Sequence, residues 1–491
     1  MSAGPGRFAA GGDAPPALRD AIAKLEDEAR VLDLGPAERE RLWEAVGAEV
    51  RTLEDRHRAP AYTTDAGPSA EAFGVGEDPG DLAEALATLG AASRPGINQT
   101  SGGHLAYIPG GGLLPSGLGD LLADVANPYI GIQFGAPAAA RMERSLVRWM
   151  ADLVGYPATA GGDLTSGGSI ATLQAVVTAR EAHEIRSADV PRSVVYLTDH
   201  THHAADKALR VAGLAECVVR RVALDDGLRM RPDALREAVV ADRAAGLRPW
   251  LVVATAGSTD VGAVDPLAAI AVVAAECGLW LHVDAAYGGF FLLTAHGRRL
   301  LAGIERSDSV VMDPHKGLFV PFGSGALLVR DEHRLAKAHH YSAGYLGDAQ
   351  AAAGSFSPAD VSLELTRPFR APRLWLPLKL FGIAPFRAAL DEKLLLARHF
   401  AERIARVPGF TVVAPPDLSV VAFRYAAGGG PEDDEVNRRL AAAVSADGRA
   451  VISATTIGGR YTLRVAILHY RTHLEHVDAL LDVLAREAPR P

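Results

Sequence analysis

The stretch SVVMDPHKGLFVPFGSG, residues 309–325, joins a short apolar run to a lysine and then to a glycine-rich turn. The apolar residues 309–312 are typical of a buried strand, so Lys316 follows the point where this strand ends. Most lysines are solvated surface residues. A lysine at the end of a buried strand is partly desolvated, which predicts a lowered pKa and an amine able to form an imine.

Similar β-branched runs lie on both sides of this stretch and alternate with helical stretches. The other runs are VVYLT (194–198), VVRRV (218–222), LVVAT (251–255), LWLHV (279–283) and ALLV (326–329), with helices predicted at 169–186, 203–213, 232–246 and 265–277. Alternation of helices with fully apolar strands predicts an α/β fold, with a mostly parallel sheet covered on both faces.

The flanking regions have other patterns. Residues 331–374 have no clear period and predict an irregular functional loop, whereas a long helix is predicted over 374–407. Further helices are predicted at 17–56, 79–90 and 139–155. The runs TVVAPP, VVAFRY, AVISAT and YTLRVAIL, together with helices at 434–446 and 473–487, predict a small C-terminal α+β domain.

Composition excludes several classes of protein. The chain of 491 residues is long enough for two or three domains, and its net charge of −9 argues against binding to nucleic acid or to an anionic membrane. Two cysteines are too few for a disulfide framework and are typical of a reducing cytoplasm. The first residues, MSAGPGRFAAGGDAPP, have no apolar core, so no signal peptide is expected.

Two segments that precede helices carry candidate ligand-binding groups. In DLTSGGSIATL (163–173), glycines before a helix leave backbone N–H groups free for an anion, although an ordinary serine or glycine cap is the alternative. TDHTHHAADKA (198–208) holds three histidines after a strand. They could bind zinc, stack on a flat ring or form hydrogen bonds at the start of a helix.

Two segments that end strands complete the set. In HVDAAYGG (282–289), Asp284 either caps the next segment or accepts a cationic ligand nitrogen, and DPHKG (313–317) holds Lys316. An anion-binding turn, a platform for a flat ring, a carboxylate and an imine-forming lysine are the groups that pyridoxal 5′-phosphate (PLP) requires. The four segments together predict a PLP site.

The chain resembles the group II PLP-dependent amino-acid decarboxylases from about residue 80 onward. The segments that carry the resemblance, in the family's order, are TSGGSIATL, TDHTHHAADKA, ATAGSTDVGAVDPL, WLHVDAAYGG and DPHKGL. The resemblance implies PLP-dependent fold type I, which is aspartate-aminotransferase-like, with a mostly parallel seven-stranded sheet and the small α+β domain. It also implies a dimer-embracing N-terminal region (1–95), a large domain (96–374) with a mobile loop at about 337–365, and a small domain (375–491).

The resemblance assigns roles to individual residues. Lys316 corresponds to the Schiff-base lysine, Asp284 to the partner of the pyridinium, His202 to the stacked histidine, and Tyr345 to the loop tyrosine that protonates the substrate carbon. The remaining positions implied to contact the cofactor are Gly168, Ser169, Thr255, Ala286, Asp313, His315 and Thr366, and those implied to contact the substrate are Tyr107, Ile108, Pro109 and His104. No metal ligand is expected.

The expected activity is decarboxylation of an L-amino acid, aromatic or bulky and apolar, to an amine and CO₂ in a cytoplasmic homodimer with active sites near the subunit interface. The alternatives are an oxidative variant that gives an aldehyde and, more remotely, a silent scaffold. Two departures from the family pattern concern the substrate. TSGGHLAYIPGG (100–111) replaces a frequent His-Pro-x-Phe, and His469 stands where asparagine is common.

Overall fold

The computed structural model of the protein describes residues 16–340 and 357–489, and their contacts divide into two units. The smaller unit contains residues 16–55 and Ala66–Arg94. Its helices are α1 (Pro16–Ala29), α2 (Pro36–Glu54) and α3 (Leu82–Ala92). The single helix predicted over 17–56 is wrong, because Pro36 cannot continue a preceding helix and instead begins a new one.

The larger unit contains Arg56–Asp65 and the chain from Pro95 onward. It begins with a two-stranded antiparallel ribbon and two helices: β1 (Tyr62–Thr63), β2 (Gly96–Ile97), α4 (Leu114–Ala126) and α5 (Pro137–Val154). Helix α5 confirms the helix predicted at 139–155, and Leu146, Met150 and Val154 lie on its buried face. Helix α4 was not predicted from the sequence.

A seven-stranded sheet forms the centre of this unit. Its elements are β3 (Gly161–Thr165), α6 (Gly168–Ala182), β4 (Ser193–Leu197), α7 (Ala204–Val211), β5 (Val218–Arg221), α8 (Pro232–Ala244), β6 (Arg248–Thr255), α9 (Leu267–Glu276), β7 (Trp280–Asp284), α10 (Ala295–Leu300), β8 (Ser309–Met312), α11 (Pro314–Gly317) and β9 (Gly325–Val329). The strand order is β3-β9-β8-β7-β6-β4-β5. Only β9 runs against the others, so the prediction of a mostly parallel sheet is confirmed.

Both faces of this sheet are covered. Along β4, Val194 and Tyr196 belong to one apolar cluster, and Val195 and Leu197 belong to another. Because successive side chains of a strand point to opposite faces, each cluster covers one face. This double burial explains why strands such as β4, β8 and β9 are apolar runs without polar alternation, whereas the edge strand β5 is largely exposed and contains Arg220 and Arg221.

The C-terminal part contains α12 (Glu332–His339), α13 (Ala371–Phe381), α14 (Ala384–Ile404), β10 (Phe410–Val412), β11 (Val420–Tyr425), α15 (Glu432–Asp447), β12 (Ser453–Ile457), β13 (Arg460–Ala466) and α16 (Leu474–Glu487). Its four strands form an antiparallel sheet in the order β10-β11-β13-β12. The predicted α+β arrangement is confirmed, with β12 as an edge strand.

Two secondary-structure predictions for this part are wrong, one of a continuous helix and one of an irregular segment. The helix predicted over 374–407 is divided at Gly382, whose φ of +69° suits glycine and interrupts the helix. The region predicted as irregular contains α12, capped where the Asp331 carboxylate accepts a hydrogen bond from the His333 N–H at 3.1 Å. Among the helices of residues 16–340 and 357–489, none has the length and apolar character needed to cross a bilayer.

Candidate active site

A cavity of about 270 Å³ lies beyond the carboxyl ends of the parallel strands. Thr255 and Asp284 are the last residues of β6 and β7, and Asp313 directly follows β8. His202 follows β4 and faces the same cavity. Because parallel strands end at one edge of the sheet, four loops distant in sequence bring their side chains to one place.

The first turn of α6 forms one wall of this cavity. The initial N–H groups of a helix have no intrahelical acceptors, and the helix dipole makes this end attractive to an anion. A Cβ atom on Gly168 would lie 2.8 Å from the Asp313 Oδ2 atom, so this close approach requires a residue without a side chain. Ser169 and Thr172 also line the cavity. The arrangement suits a phosphate group.

Lys316 lies in the single turn of α11 and faces a carboxylate. Its Nζ atom is 2.9 Å from Asp313 Oδ2, and the two side chains are 23% and 1% exposed. Burial lowers the pKa of the Lys316 amine, but the nearby Asp313 and Asp284 carboxylates outweigh this effect and raise it. The lowered pKa expected from the sequence is therefore wrong, because that expectation considered desolvation without the two carboxylates.

Asp284 is held at the junction of three strands. On β7 it lies opposite Thr255 of β6 and Val311 of β8. Its Oδ1 atom accepts a hydrogen bond from the Ala286 N–H at 3.1 Å. Asp284 lines the cavity, and a carboxylate in this position suits a cationic ring nitrogen.

His202 presents a neutral imidazole. Its Nδ1 atom accepts a hydrogen bond from the Ala204 N–H at 3.2 Å, at the start of α7. Burial lowers the pKa of His202, although the Asp284 carboxylate opposes this shift. A neutral, flat ring that borders the cavity is suited to stacking on another ring.

The three histidines of this segment do not meet at one point, although the His203 ring lies 4.1 Å from the His202 ring between centroids. His200 pairs with Asp260, with 3.2 Å between Nδ1 and Oδ2. Across the described part of the chain, no group of three His, Cys, Asp or Glu side chains is arranged to hold a metal ion. The zinc alternative for this segment therefore has no geometric support.

Two polar atoms in the cavity wall have no partner among the described residues. They are Thr255 Oγ1 and Asp313 Oδ1, and both are buried. A buried polar atom without a hydrogen bond costs free energy, so these atoms suit a polar ligand. Together with the amine, the second carboxylate and the α6 turn, they fit the phosphate, ring nitrogen and aldehyde of PLP.

The domain model described as the pyridoxal-dependent decarboxylase conserved domain matches residues 94–426, which is more than half of the chain. The chain belongs to this family. The decarboxylase is therefore a carboxy-lyase of PLP fold type I that binds pyridoxal 5′-phosphate and removes CO₂ from an amino acid. The predicted family, cofactor and reaction type are confirmed.

Curated relatives and solved structures agree with this assignment. The decarboxylase is 33% identical over 377 residues to the aromatic-L-amino-acid decarboxylase of Bacillus atrophaeus, covering 76% of this chain and 78% of the relative. It is 32% identical over 446 residues to tyrosine decarboxylase 2 of Arabidopsis thaliana, covering 88% and 81%. The Oryza sativa TDC structure with PLP and tryptamine has a TM-score of 0.86 and 28% identity, covering 92% and 99%.

The cavity brings together nine of the residues selected from the sequence. They are Gly168, Ser169, His202, Thr255, Asp284, Ala286, Asp313, His315 and Lys316. Tyr345 lies outside the described residues. Thr366 is exposed and is not part of the cavity wall. Sequence reasoning missed Gly257, Thr259 and Tyr287, which also line the cavity; the segments ATAGSTDVGAVDPL and HVDAAYGG contain them and were the available signal.

The predicted substrate residues Tyr107, Ile108, Pro109 and His104 do not line this cavity. Tyr107 is 64% exposed. The chain after it passes beside the cavity, because a Cβ atom on Gly110 would lie 2.9 Å from the His315 carbonyl oxygen. His104 is buried elsewhere, and neither ring nitrogen has a partner among the described residues.

Proposed function

We propose that this decarboxylase converts an aromatic L-amino acid to the corresponding amine and CO₂, with the nine cavity residues as its cofactor site. The observation that carries the proposal is that Lys316, Asp284 and the first turn of α6 face one cavity of about 270 Å³. The curated relatives named above include an aromatic-L-amino-acid decarboxylase and a tyrosine decarboxylase, which supports the substrate class.

When bound, PLP supplies the electron sink for the bond that breaks. Lys316 would be the residue that holds the cofactor through its aldehyde, and Asp313, 2.9 Å from the Lys316 Nζ atom, would keep the lysine amine in position. Asp284 keeps a proton on the ring nitrogen, because a carboxylate raises the pKa of an adjacent cation. The neutral His202 ring, which lines the cavity, would stack on the cofactor ring. Tyr345 is proposed as the donor that protonates the substrate carbon.

Aromatic side chains near the cavity support an aromatic substrate. The rings of His315 and Phe322 are 5.7 Å apart between centroids, and Phe322 is exposed. A Cβ atom on Gly110 would lie 3.1 Å from the Phe322 ring, so this ring also contacts the segment that follows Tyr107. Flat apolar surfaces of this kind favour an aromatic side chain through offset or edge-to-face contacts.

A homodimer is the second part of this proposal. Helices α4 and α13 pack together and expose several large apolar side chains: Leu118, Leu121, Leu122, Val125, Trp375, Leu380 and Phe381. An exposed apolar surface of this kind favours contact with another protein surface. Cys217 and Cys277 are free and buried, which supports a reducing compartment such as the cytoplasm.

The proposed function is tested by incubating the PLP-loaded protein with each of the twenty amino acids and with dihydroxyphenylalanine. CO₂, amine, peroxide and ammonia are measured. Stoichiometric CO₂ and amine from an aromatic substrate are expected, with no release by Lys316→Ala. Peroxide and ammonia in place of the amine would establish the oxidative reaction instead. Release of CO₂ only from acidic substrates would overturn the substrate class.

For the dimer, Leu122→Glu places a charge on the exposed face of α4. Sedimentation velocity is expected to show a dimer for the unaltered protein and a shift toward monomer for this variant. Val240→Glu, at an exposed apolar position of α8, is the matched control. A monomer in both the unaltered protein and the control would refute the proposed assembly.

A further inference from the structure

We propose that Thr455, Asp260 and His200 form a positioning relay, through which the edge strand β12 holds two of the cavity loops in place. The inference rests on the role proposed for His202, because the relay would act by fixing the segment that carries this ring. None of the three relay residues lines the cavity, so each acts through neighbouring residues that do.

Asp260 is the centre of the relay. Its Oδ1 atom accepts a hydrogen bond from the Thr455 hydroxyl at 2.9 Å, and its Oδ2 atom lies 3.2 Å from His200 Nδ1. Each carboxylate oxygen therefore has one partner from a different part of the chain. With both oxygens engaged, the carboxylate fixes the distance between strand β12 and the histidine segment.

The relay reaches two cavity loops at positions next to the cavity wall. His200 precedes His202 by two residues in the loop after β4, and Asp260 directly follows Thr259 in the loop after β6. His202 and Thr259 both line the cavity. A displacement of Asp260 would therefore be transmitted to both walls over one or two residues.

The same face of strand β12 also forms a hydrogen bond with a third segment, the one that contains Tyr107. Ser453 and Thr455 are two residues apart, so their side chains point to the same side of the strand. The Ser453 hydroxyl oxygen accepts hydrogen bonds from the Tyr107 N–H at 3.0 Å and from the Arg464 guanidinium at 2.7 Å. One face of an edge strand thus contacts the Tyr107 segment and the relay.

The charges around Asp260 favour its ionised form. Burial raises the pKa of this carboxyl. Hydrogen bonds from His200 and Thr455, together with the charges of His200 and Arg464, lower the pKa by more than burial raises it. Arg464 is 3% exposed, and burial lowers its pKa to about 10, so it remains a cation at neutral pH. An ionised carboxylate accepts stronger hydrogen bonds than a neutral one, which makes the relay stiffer.

Thr455→Val is the principal test, because valine has nearly the shape of threonine and removes the hydroxyl. The matched control is Thr456→Val, the same change at an exposed position on the opposite side of β12. We expect Thr455→Val to lower kcat roughly three- to tenfold, as for the loss of one positioning hydrogen bond, with little change in KM. The control is expected to retain the activity of the unaltered protein.

Two further measurements do not depend on turnover. In the apo-protein, amide hydrogen exchange is expected to accelerate in Thr455→Val at residues 199–203 and 257–260, and not in the control. With PLP bound, the visible circular dichroism of the cofactor should decrease at unchanged cofactor occupancy. Unchanged exchange, or faster exchange without any loss of kcat or dichroism, would overturn the relay.

His200 supplies the rescue experiment. His200→Ala should reproduce the Thr455→Val effects. His200→Asn should retain most of the activity that His200→Ala loses, since the asparagine amide nitrogen can donate a hydrogen bond from near the position of the histidine Nδ1 atom. The double variant His200→Ala/Thr455→Val should be less impaired than the product of the two single effects, because both act through Asp260. Multiplicative effects would refute the relay.

Absence of CO₂ release by the unaltered protein would refute the proposed function alone, because hydrogen exchange still tests the relay.

Discussion

Lys316 Nζ lies 2.9 Å from one oxygen of Asp313, while the other oxygen of the same buried carboxylate has no partner among the described residues. The pair stabilises the lysine as a cation, since the carboxylates raise its pKa against the effect of burial. Attachment of a carbonyl compound needs the neutral amine. The ion pair therefore holds the lysine in a defined position. Because the paired lysine is protonated, it must lose a proton before the amine reacts.

Replacement of the lysine tests the covalent attachment. Lys316→Ala is expected to abolish the visible absorbance of attached cofactor and to reduce CO₂ release to background. Gel filtration and the melting temperature should show a folded protein, because Lys316 is at the cavity and outside the two main apolar clusters. Lys207→Ala, at an exposed position of α7, is the control and should retain absorbance and activity. A visible band that persists in Lys316→Ala would assign the attachment to another residue.

Replacement of the carboxylate tests the effect of Asp313 on the lysine. Asp313→Asn removes one of the charges that raise the pKa of Lys316, so the neutral amine becomes more abundant at a given pH. The pH midpoint of PLP capture by the apo-protein, followed by absorbance in stopped flow, should move to lower pH. A midpoint that moves to higher pH would contradict the electrostatic role of Asp313.

The cavity wall at the start of α6 leads to a steric prediction. Gly168→Ala would place a Cβ atom 2.8 Å from Asp313 Oδ2, which forces this short, buried side chain to move. Alanine otherwise favours a helix by about 1 kcal/mol relative to glycine. A loss of PLP affinity in this variant must therefore come from the close contact between the new Cβ atom and Asp313. We expect PLP affinity to fall roughly tenfold or more, measured by equilibrium titration of the apo-protein.

The matched control for this steric effect is Gly47→Ala in α2. There the new Cβ atom would lie 3.6 Å from the Arg51 side chain, an ordinary van der Waals distance. The control should retain PLP affinity and show an equal or higher melting temperature. If Gly168→Ala binds PLP as tightly as the control does, the close approach to Asp313 has no functional importance.

The strand ends of the cavity could be predicted because the relevant signals are local. The apolar run before Asp284 and the one before Lys316 each define where a strand stops, and parallel strands bring such ends to one edge. The TSGGS turn before α6 is also a local signal, since glycine before a helix exposes the first amides. For these residues, position along the chain largely determines position in the fold.

Other features depend on contacts between distant residues. Asp260 and Thr455 are separated by most of the C-terminal half of the chain, and nothing near either residue predicts their hydrogen bond. The direction of the pKa shift of Lys316 likewise depends on Asp284 from another strand. The break at Gly382 was missed for a different reason, because one glycine within a long helical pattern is often tolerated.

His469 provides a prediction for the stability of the protein in acid. Burial, together with the nearby positive charges, lowers the pKa of this imidazole from 6.5 to about 3, so the folded protein holds it neutral. The resulting stabilisation is fully present above pH 6.5, where the unfolded chain is also neutral, and it is lost as pH falls toward the folded pKa. His104, with a pKa lowered by burial to about 4, acts in the same direction.

The variant His469→Asn removes one of these two titrations and keeps an acceptor for the Arg471 N–H, which now bonds to His469 Nδ1 at 3.0 Å. Between pH 7.5 and pH 4.5, the unaltered protein should lose about 2 kcal/mol more unfolding free energy than the variant. A lower stability of the variant at neutral pH is compatible with this prediction, because asparagine is smaller than the buried histidine. The unfolding free energy of the variant should nevertheless depend less on pH. Chemical denaturation across this pH range measures the difference, and His333→Asn at an exposed position serves as the control. Parallel pH profiles for His469→Asn and the unaltered protein would show that this histidine is not held neutral by the fold.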